Sequence, residues 1–102
     1  MKYKIEYIST FHSDVQSVMK FLSDYPGKAM RIFEKADKCI SNLENMPEMY
    51  PVYNDVPSFR FIVAEDYLIF YKFIKQRRIV EIHRFLYAGM DIPTEVLSGN
   101  ER

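Results

Sequence analysis

Three apolar runs fill the last third of this chain and leave few folds open to it. Phe59-Arg60-Phe61-Ile62-Val63 comes first, then Tyr67 to Ile74, then Ile79 to Tyr87. Each is rich in aromatic and β-branched residues, which suit a pleated, half-buried surface. Glu65-Asp66 between the first two is short enough for a hairpin turn, and Lys75-Gln76-Arg77-Arg78 suits a slightly longer one. Strands joined by such short links pair antiparallel. The middle run, Tyr67 to Ile74, is apolar on both faces, so it belongs at the centre of a sheet covered on both sides.

The preceding residues supply the cover. Lys2 to Ile8 alternates, with Tyr3, Ile5 and Tyr7 on one face and Lys4 and Glu6 on the other, as in a strand. Ser13 stands three residues before Gln16, a capping-box spacing, and Val15, Val18, Met19 and Leu22 follow at helical intervals. Tyr25-Pro26-Gly27 interrupts that helix. A second begins beyond it, with Ala29, Ile32, Phe33, Ala36, Ile40 and Leu43 along one stripe. Two helices with so short a break form a hairpin. Asn45 to Pro57 holds three prolines and so excludes regular helix, and its Met46, Met49, Tyr50 and Tyr53 are expected to pack on the rim of the core. Thr94 to Leu97 suits a last helical turn, and residues 98–102 read as a frayed tail. The order is β-α-α-β-β-β. This is an α+β domain over residues 1–102, with an N-terminal helical hairpin on one face of an antiparallel sheet.

Charge is balanced overall, with 14 basic and 14 acidic residues, but unevenly spread. Residues 58–88 carry Arg60, Lys72, Lys75, Arg77, Arg78 and Arg84 against Glu65, Asp66 and Glu81, an excess of three positive charges on the expected sheet. That is a modest footprint beside a dedicated nucleic-acid binder, so sequence-specific DNA binding by the chain alone is not expected. Cys39 is the only cysteine, no run approaches a membrane span, and Met1 to Glu6 lacks a secretory apolar stretch. A cytoplasmic protein is expected. His12, Cys39 and His83 are too dispersed for a metal-ligand signature, and three glycines form no phosphate-binding loop. No cofactor or metal is expected.

The element order at this length resembles the RelE/ParE toxins of bacterial type II toxin–antitoxin pairs, over about residues 3 to 97. The most specific likeness is Arg84-Phe85-Leu86-Tyr87-Ala88-Gly89-Met90-Asp91-Ile92, similar to the Arg-x-Leu…Asp-Ile segment of ParE-like members, with Arg84, Leu86, Asp91 and Ile92 as its motif residues. Tyr67-Leu68-Ile69-Phe70-Tyr71 and Arg60 also look like the family. Some features depart from it. Met90 stands where members often have an arginine, and Ile62 and Leu68 stand where ribonuclease members can place basic residues. The tail offers no aromatic acid–base. The resemblance implies a ParE-like toxin that inhibits DNA gyrase and is neutralised by a cognate antitoxin, a function of the plasmid-stabilisation kind. The alternative is a RelE-like ribosome-dependent mRNA endonuclease. A second alternative is a non-toxic member that only binds a partner.

RNA cleavage needs a base, an acid and cations against the phosphorane. The candidates are Arg60, Lys72, His83, Arg84 and Tyr87. Strict alternation sends His83 and Arg84 to opposite faces unless a bulge intervenes, placing Arg84 with Val80, Ile82 and Leu86, and His83 with Glu81 and Phe85. The ordinary readings are a surface histidine beside Glu81 and an arginine paired with an acid such as Asp91. Partner binding is the better-supported use. An acidic antitoxin segment would meet Arg60, Lys72, Arg77, Arg78 and Arg84, and an exposed sheet edge could accept an added strand.

Overall fold

The computed structural model describes residues 2–98. The tail expected at 98–102 lies outside the described residues beyond Ser98. Strand β1 (Lys4–Tyr7) leads into helices α1 (Ser9–Phe21) and α2 (Pro26–Asn42). The meander β2 (Arg60–Ala64), β3 (Tyr67–Ile74) and β4 (Ile79–Tyr87) follows, and α3 (Thr94–Ser98) ends the described chain. The sheet order is β1-β4-β3-β2. The meander is antiparallel as expected, but β1 joins β4 in parallel, so the sheet is mixed. The helical hairpin is the reason. With the loop it carries the chain to β2 at the opposite edge of the sheet, and the two turns of the meander then bring β4 back beside β1 in the same direction.

Helix α1 begins four residues before Ser13. Ile8 ends β1 by donating its N–H to the Ile82 carbonyl, while its own carbonyl already accepts from Phe11 and His12. Ser13 therefore lies inside the helix, not at its cap. Pro26 takes the first turn of α2, where its missing N–H costs nothing. Ile32, Ala36, Ile40 and Leu43 are buried along the expected stripe, as are Val18 and Leu22 of the first helical region. Met19, expected on that stripe, is exposed.

Two cores flank the sheet. The larger joins the hairpin to Ile62, Ala64, Tyr67, Ile69, Tyr71, Val80, Ile82 and Phe85. The smaller lies on the other face and joins Phe59, Phe70 and Leu86 to Val56 of the loop and Leu97 of α3. The middle strand is thus covered on both sides, as its composition requires.

The proline-rich loop is pinned, not free. Tyr71, fully buried, donates its hydroxyl to the Pro47 carbonyl at 2.6 Å. Burial pushes that phenol up to about 12. Tyr53 and Phe61 exchange backbone bonds with Phe59 and Pro51, so the loop covers the outer edge of β2 at its start. Tyr50 and Tyr53 pack against the two cores, whereas Met46 and Met49 stay exposed, against expectation.

Candidate functional site

The expected site residues meet the fold at one irregularity. Phe70 pairs with Arg84 but Tyr71 pairs with Ile82, so β4 carries one residue more than β3. His83 is the extra residue of a β-bulge. The alternation expected for β4 holds on each side of it but not across it. Val80 and Ile82 enter the larger core, and so does Phe85, while Leu86 enters the smaller. His83 and Arg84 are thereby placed toward the smaller core, and Arg84 does not share a face with Val80 and Ile82.

Beyond the bulge β4 has lost β1 as a neighbour, and α1 replaces it. Thr10 donates its hydroxyl to the His83 carbonyl at 2.7 Å. Asp14 Oδ2 accepts the Phe85 N–H at 2.9 Å. The same carboxylate grips Arg84 in a fork, with Nε to Oδ2 at 2.7 Å and Nη2 to Oδ1 at 2.9 Å. Arg84 Nη1 adds a bond to the Val96 carbonyl at 3.2 Å, tying α3 to the same point. The acid that pairs with Arg84 is Asp14, not Asp91. Both side chains are mostly buried, at 18% and 13% exposure, so this is a charge-assisted fork shielded from solvent. The sequence offered no sign of Thr10 or Asp14 in this role, because both lie 70 residues or more away along the chain.

The other candidates are dispersed. His83 is buried, not on the surface, with Nε2 at 3.1 Å from Glu81 and its ring edge-on to Phe59. Its Nδ1 is buried without a protein partner. Lys72 places its ammonium 4.6 Å from the Phe59 ring centre on that face. Arg60 lies on the opposite side of the sheet, donating to the carbonyls of Glu48 and Tyr50 at 3.0 and 2.8 Å. Tyr87 stands at the far end of β4, half-exposed against Tyr67. Arg77 and Arg78 are exposed in the β3–β4 turn, where Arg78 has a positive φ of 52° and lies over Tyr3. Of the motif residues, Arg84 and Leu86 are built into the fold, Ile92 packs on the smaller core and Asp91 is exposed. Among the described residues no cluster of His, Cys, Asp or Glu could hold a metal ion, and no helix is long and apolar enough to cross a membrane.

Two apolar grooves flank the hairpin. One, of about 660 Å³, runs between the end of α1 and the end of β4, lined by Val18, Phe21, Tyr67, Phe85, Tyr87 and Met90. Its charges are internally paired: Asp14 with Arg84, and Lys28 with Asp66 at 3.0 Å. The hydrogen bond to Asp66 raises the Lys28 ammonium pKa. The second groove, of about 560 Å³, lies between α1, α2 and the end of β1.

This fold has known counterparts. The sequence profile described as the ParE toxin of the type II toxin–antitoxin system, parDE, matches residues 5–92. The chain belongs to the ParE toxin family. Solved structures share its fold at low identity. A chain of the chromosomal ParDE toxin–antitoxin system from P. aeruginosa superposes with a TM-score of 0.68 at 12% identity, covering 84% of this chain and 96% of that one. One from the RelBE2 toxin–antitoxin complex of Mycobacterium tuberculosis gives 0.57 at 14% identity, covering 85% and 92%. One from the archaeal RelE–RelB complex of Pyrococcus horikoshii OT3 gives 0.55 at 17%, covering 89% and 100%. No curated protein sequence matches. In this ParE-family chain Arg84 is held in a fork by Asp14, the same carboxylate that meets the β4 margin at the Phe85 N–H.

Proposed function

We propose that this chain is a ParE-like toxin that acts in the cytoplasm by binding DNA gyrase, without catalysis of its own, and is neutralised by a cognate antitoxin. The observation that carries this reading is the engagement of the candidate catalytic groups. Arg84 is held by Asp14 and Val96, Arg60 by two loop carbonyls on the other side of the sheet, and His83 is buried against Phe59. A ribonuclease needs an acid, a base and cations converging on one phosphate. Here Arg60 lies across the sheet from His83 and Arg84, and Arg84 is already taken up by Asp14. The family match and the toxin–antitoxin complexes among the fold neighbours support an antitoxin partner.

A second reading has one observation in its favour. The bulge keeps Arg84 on the face that also carries His83, Glu81 and Lys72, which is the nearest approach to a RelE-like ribonuclease site. Purified chain separates the two readings. Added to gyrase and relaxed plasmid, a ParE-like toxin suppresses supercoiling or accumulates cleaved DNA, and antitoxin restores activity. Intact gyrase function together with cut mRNA on translating ribosomes would establish the RelE-like reading instead.

A further inference from the structure

Both turns of the meander hold a charged residue where the backbone is left-handed, Glu65 at φ 57° and Arg78 at φ 52°. Glycine or asparagine takes such a position at little cost, and an arginine does not. A residue kept there points to a use for its side chain. The two turns are opposite in sign and lie at opposite ends of β3. In the acidic turn, Asp66 is taken up by Lys28 at 3.0 Å. In the basic turn, Lys75, Arg77 and Arg78 are exposed and in no ion pair among the described residues.

The basic turn is firmly placed. The N–H groups of Arg77 and Arg78 donate to the Ile74 and Lys75 carbonyls at 3.2 and 3.3 Å. The Arg78 carbonyl in turn accepts the Lys4 N–H at 2.9 Å, which ties the turn to β1. The Arg78 guanidinium lies 5.8 Å from the centre of the Tyr3 ring. An aromatic face orients a guanidinium without cancelling its charge. Lys4, beside Ile79 in the β1–β4 register, adds another cation. Its contact with Glu6 is long, at 4.0 Å, and exposed, so it neutralises little.

Such a turn suits a polyanion. None of these residues lines either apolar groove, so a protein segment would find charge here but no apolar seat. Duplex DNA needs no seat. Its phosphates follow one another about every 3.4 Å of rise along each strand, so the turn reaches more than one at once. Guanidinium forks also match phosphate oxygens. We infer that the β3–β4 turn is a contact for the phosphate backbone of duplex DNA, made by Lys75, Arg77, Arg78 and Lys4 without regard to base sequence. This rests on the gyrase reading for the source of the duplex, because gyrase is itself bound to DNA. The turn then ties the toxin to the enzyme's DNA as well as to the enzyme.

The test follows binding of the full-length chain to fluorescent duplexes of two unrelated sequences over a series of low salt concentrations. The variants are Arg78→Gly and the triple Lys75→Ala, Arg77→Ala, Arg78→Gly. Lys35→Ala with Lys38→Ala, exposed cations on α2, is the control. Both duplexes are expected to bind alike, with log affinity falling against log salt at about 0.9 per phosphate met. Arg78→Gly lowers that slope by about one, while its thermal midpoint holds or rises because the turn backbone relaxes. The triple variant binds roughly tenfold more weakly or worse, the control changes less than about threefold, and the triple variant inhibits gyrase only at several-fold higher concentration. Unchanged affinity and slope in the triple variant overturn the inference. So does displacement of the duplex by poly-glutamate as effective as by unlabelled duplex, which would assign the turn to an acidic protein segment. If the wild type inhibits gyrase and the triple variant matches it, the inference falls and the gyrase reading stands. If the wild type does not inhibit gyrase, that reading falls, and turn-dependent duplex binding still upholds the phosphate contact.

Discussion

The two halves of β4 solve the same problem by different means. From Ile79 to Ile82 the strand lies between β1 and β3, and its backbone groups are met by other strands. From His83 to Tyr87 it has β3 on one side only, and the side chains of Thr10 and Asp14 take the place of a strand on the other. The first half is held by apolar packing, with Val80 and Ile82 fully buried. The second depends on one carboxylate that serves a guanidinium and a backbone N–H together. A strand edge closed by side chains is specific to those side chains, so the second half is the more vulnerable to a single polar change.

The largest effect is expected in the inner half. Ile82→Ala removes a fully buried side chain from the larger core and should cost about 3 kcal/mol in urea unfolding. A cost below about 1 kcal/mol would mean that this half is not packed as described.

Close behind comes Asp14→Ala. It strands the Arg84 guanidinium and the Phe85 N–H together, so roughly 2–3 kcal/mol should be lost. A double-mutant cycle with Arg84→Ala isolates the fork, and a coupling energy above about 1 kcal/mol is expected. Additive losses would show that the two residues act separately, and the contrast between the halves would dissolve.

Tyr71→Phe comes next, on the strand that both halves share. It leaves the buried Pro47 carbonyl without its donor and should cost about 1–2 kcal/mol. It also has a pH signature. The Tyr71 phenol is raised in the folded chain to about 12 from 10.0. Below pH 10 it is neutral in both states and its contribution is complete. As pH rises from 10 to 12 the unfolded chain releases the proton first, and stability falls by up to about 1.4 kcal/mol per unit. The slope of stability against pH in that window should be shallower in Tyr71→Phe, and an unchanged slope would remove Tyr71 as its source.

The smallest of these effects is Thr10→Val, which keeps the shape and removes the donor to His83. A loss of about 1 kcal/mol is expected by thermal unfolding. If it matches Asp14→Ala, the carboxylate has no special place at the margin.

Much of this fold is readable along the chain because its signals are local. The apolar runs of β2, β3 and β4, the stripe from Ile32 to Leu43 and the turns at Glu65-Asp66 and 75–78 each announce themselves within a few residues. What is not readable depends on partners far away in sequence. The bulge at His83 is a mismatch between two strands, and neither strand shows it alone. Asp14 pairs with Arg84 because the crossover carries α1 along the open margin of β4, whereas proximity in sequence pointed to Asp91. The parallel pairing of β1 has the same origin. Candidate site residues suffer most from this. A basic residue looks alike in sequence whether it is exposed, as Arg77 is in the β3–β4 turn, or is already held within the fold, as Arg60 is.

The central proposal is that His83 and Tyr87 do no acid–base chemistry and that the chain acts by binding. The most direct measurement is growth arrest by the double variant His83→Gln, Tyr87→Phe, expressed at wild-type soluble level, with gyrase supercoiling and mRNA integrity read in the same cells. Arrest and gyrase inhibition retained, with mRNA intact in both wild type and variant, is the predicted result. Cut mRNA in the wild type that disappears in a folded, antitoxin-binding variant, along with the arrest, would contradict it.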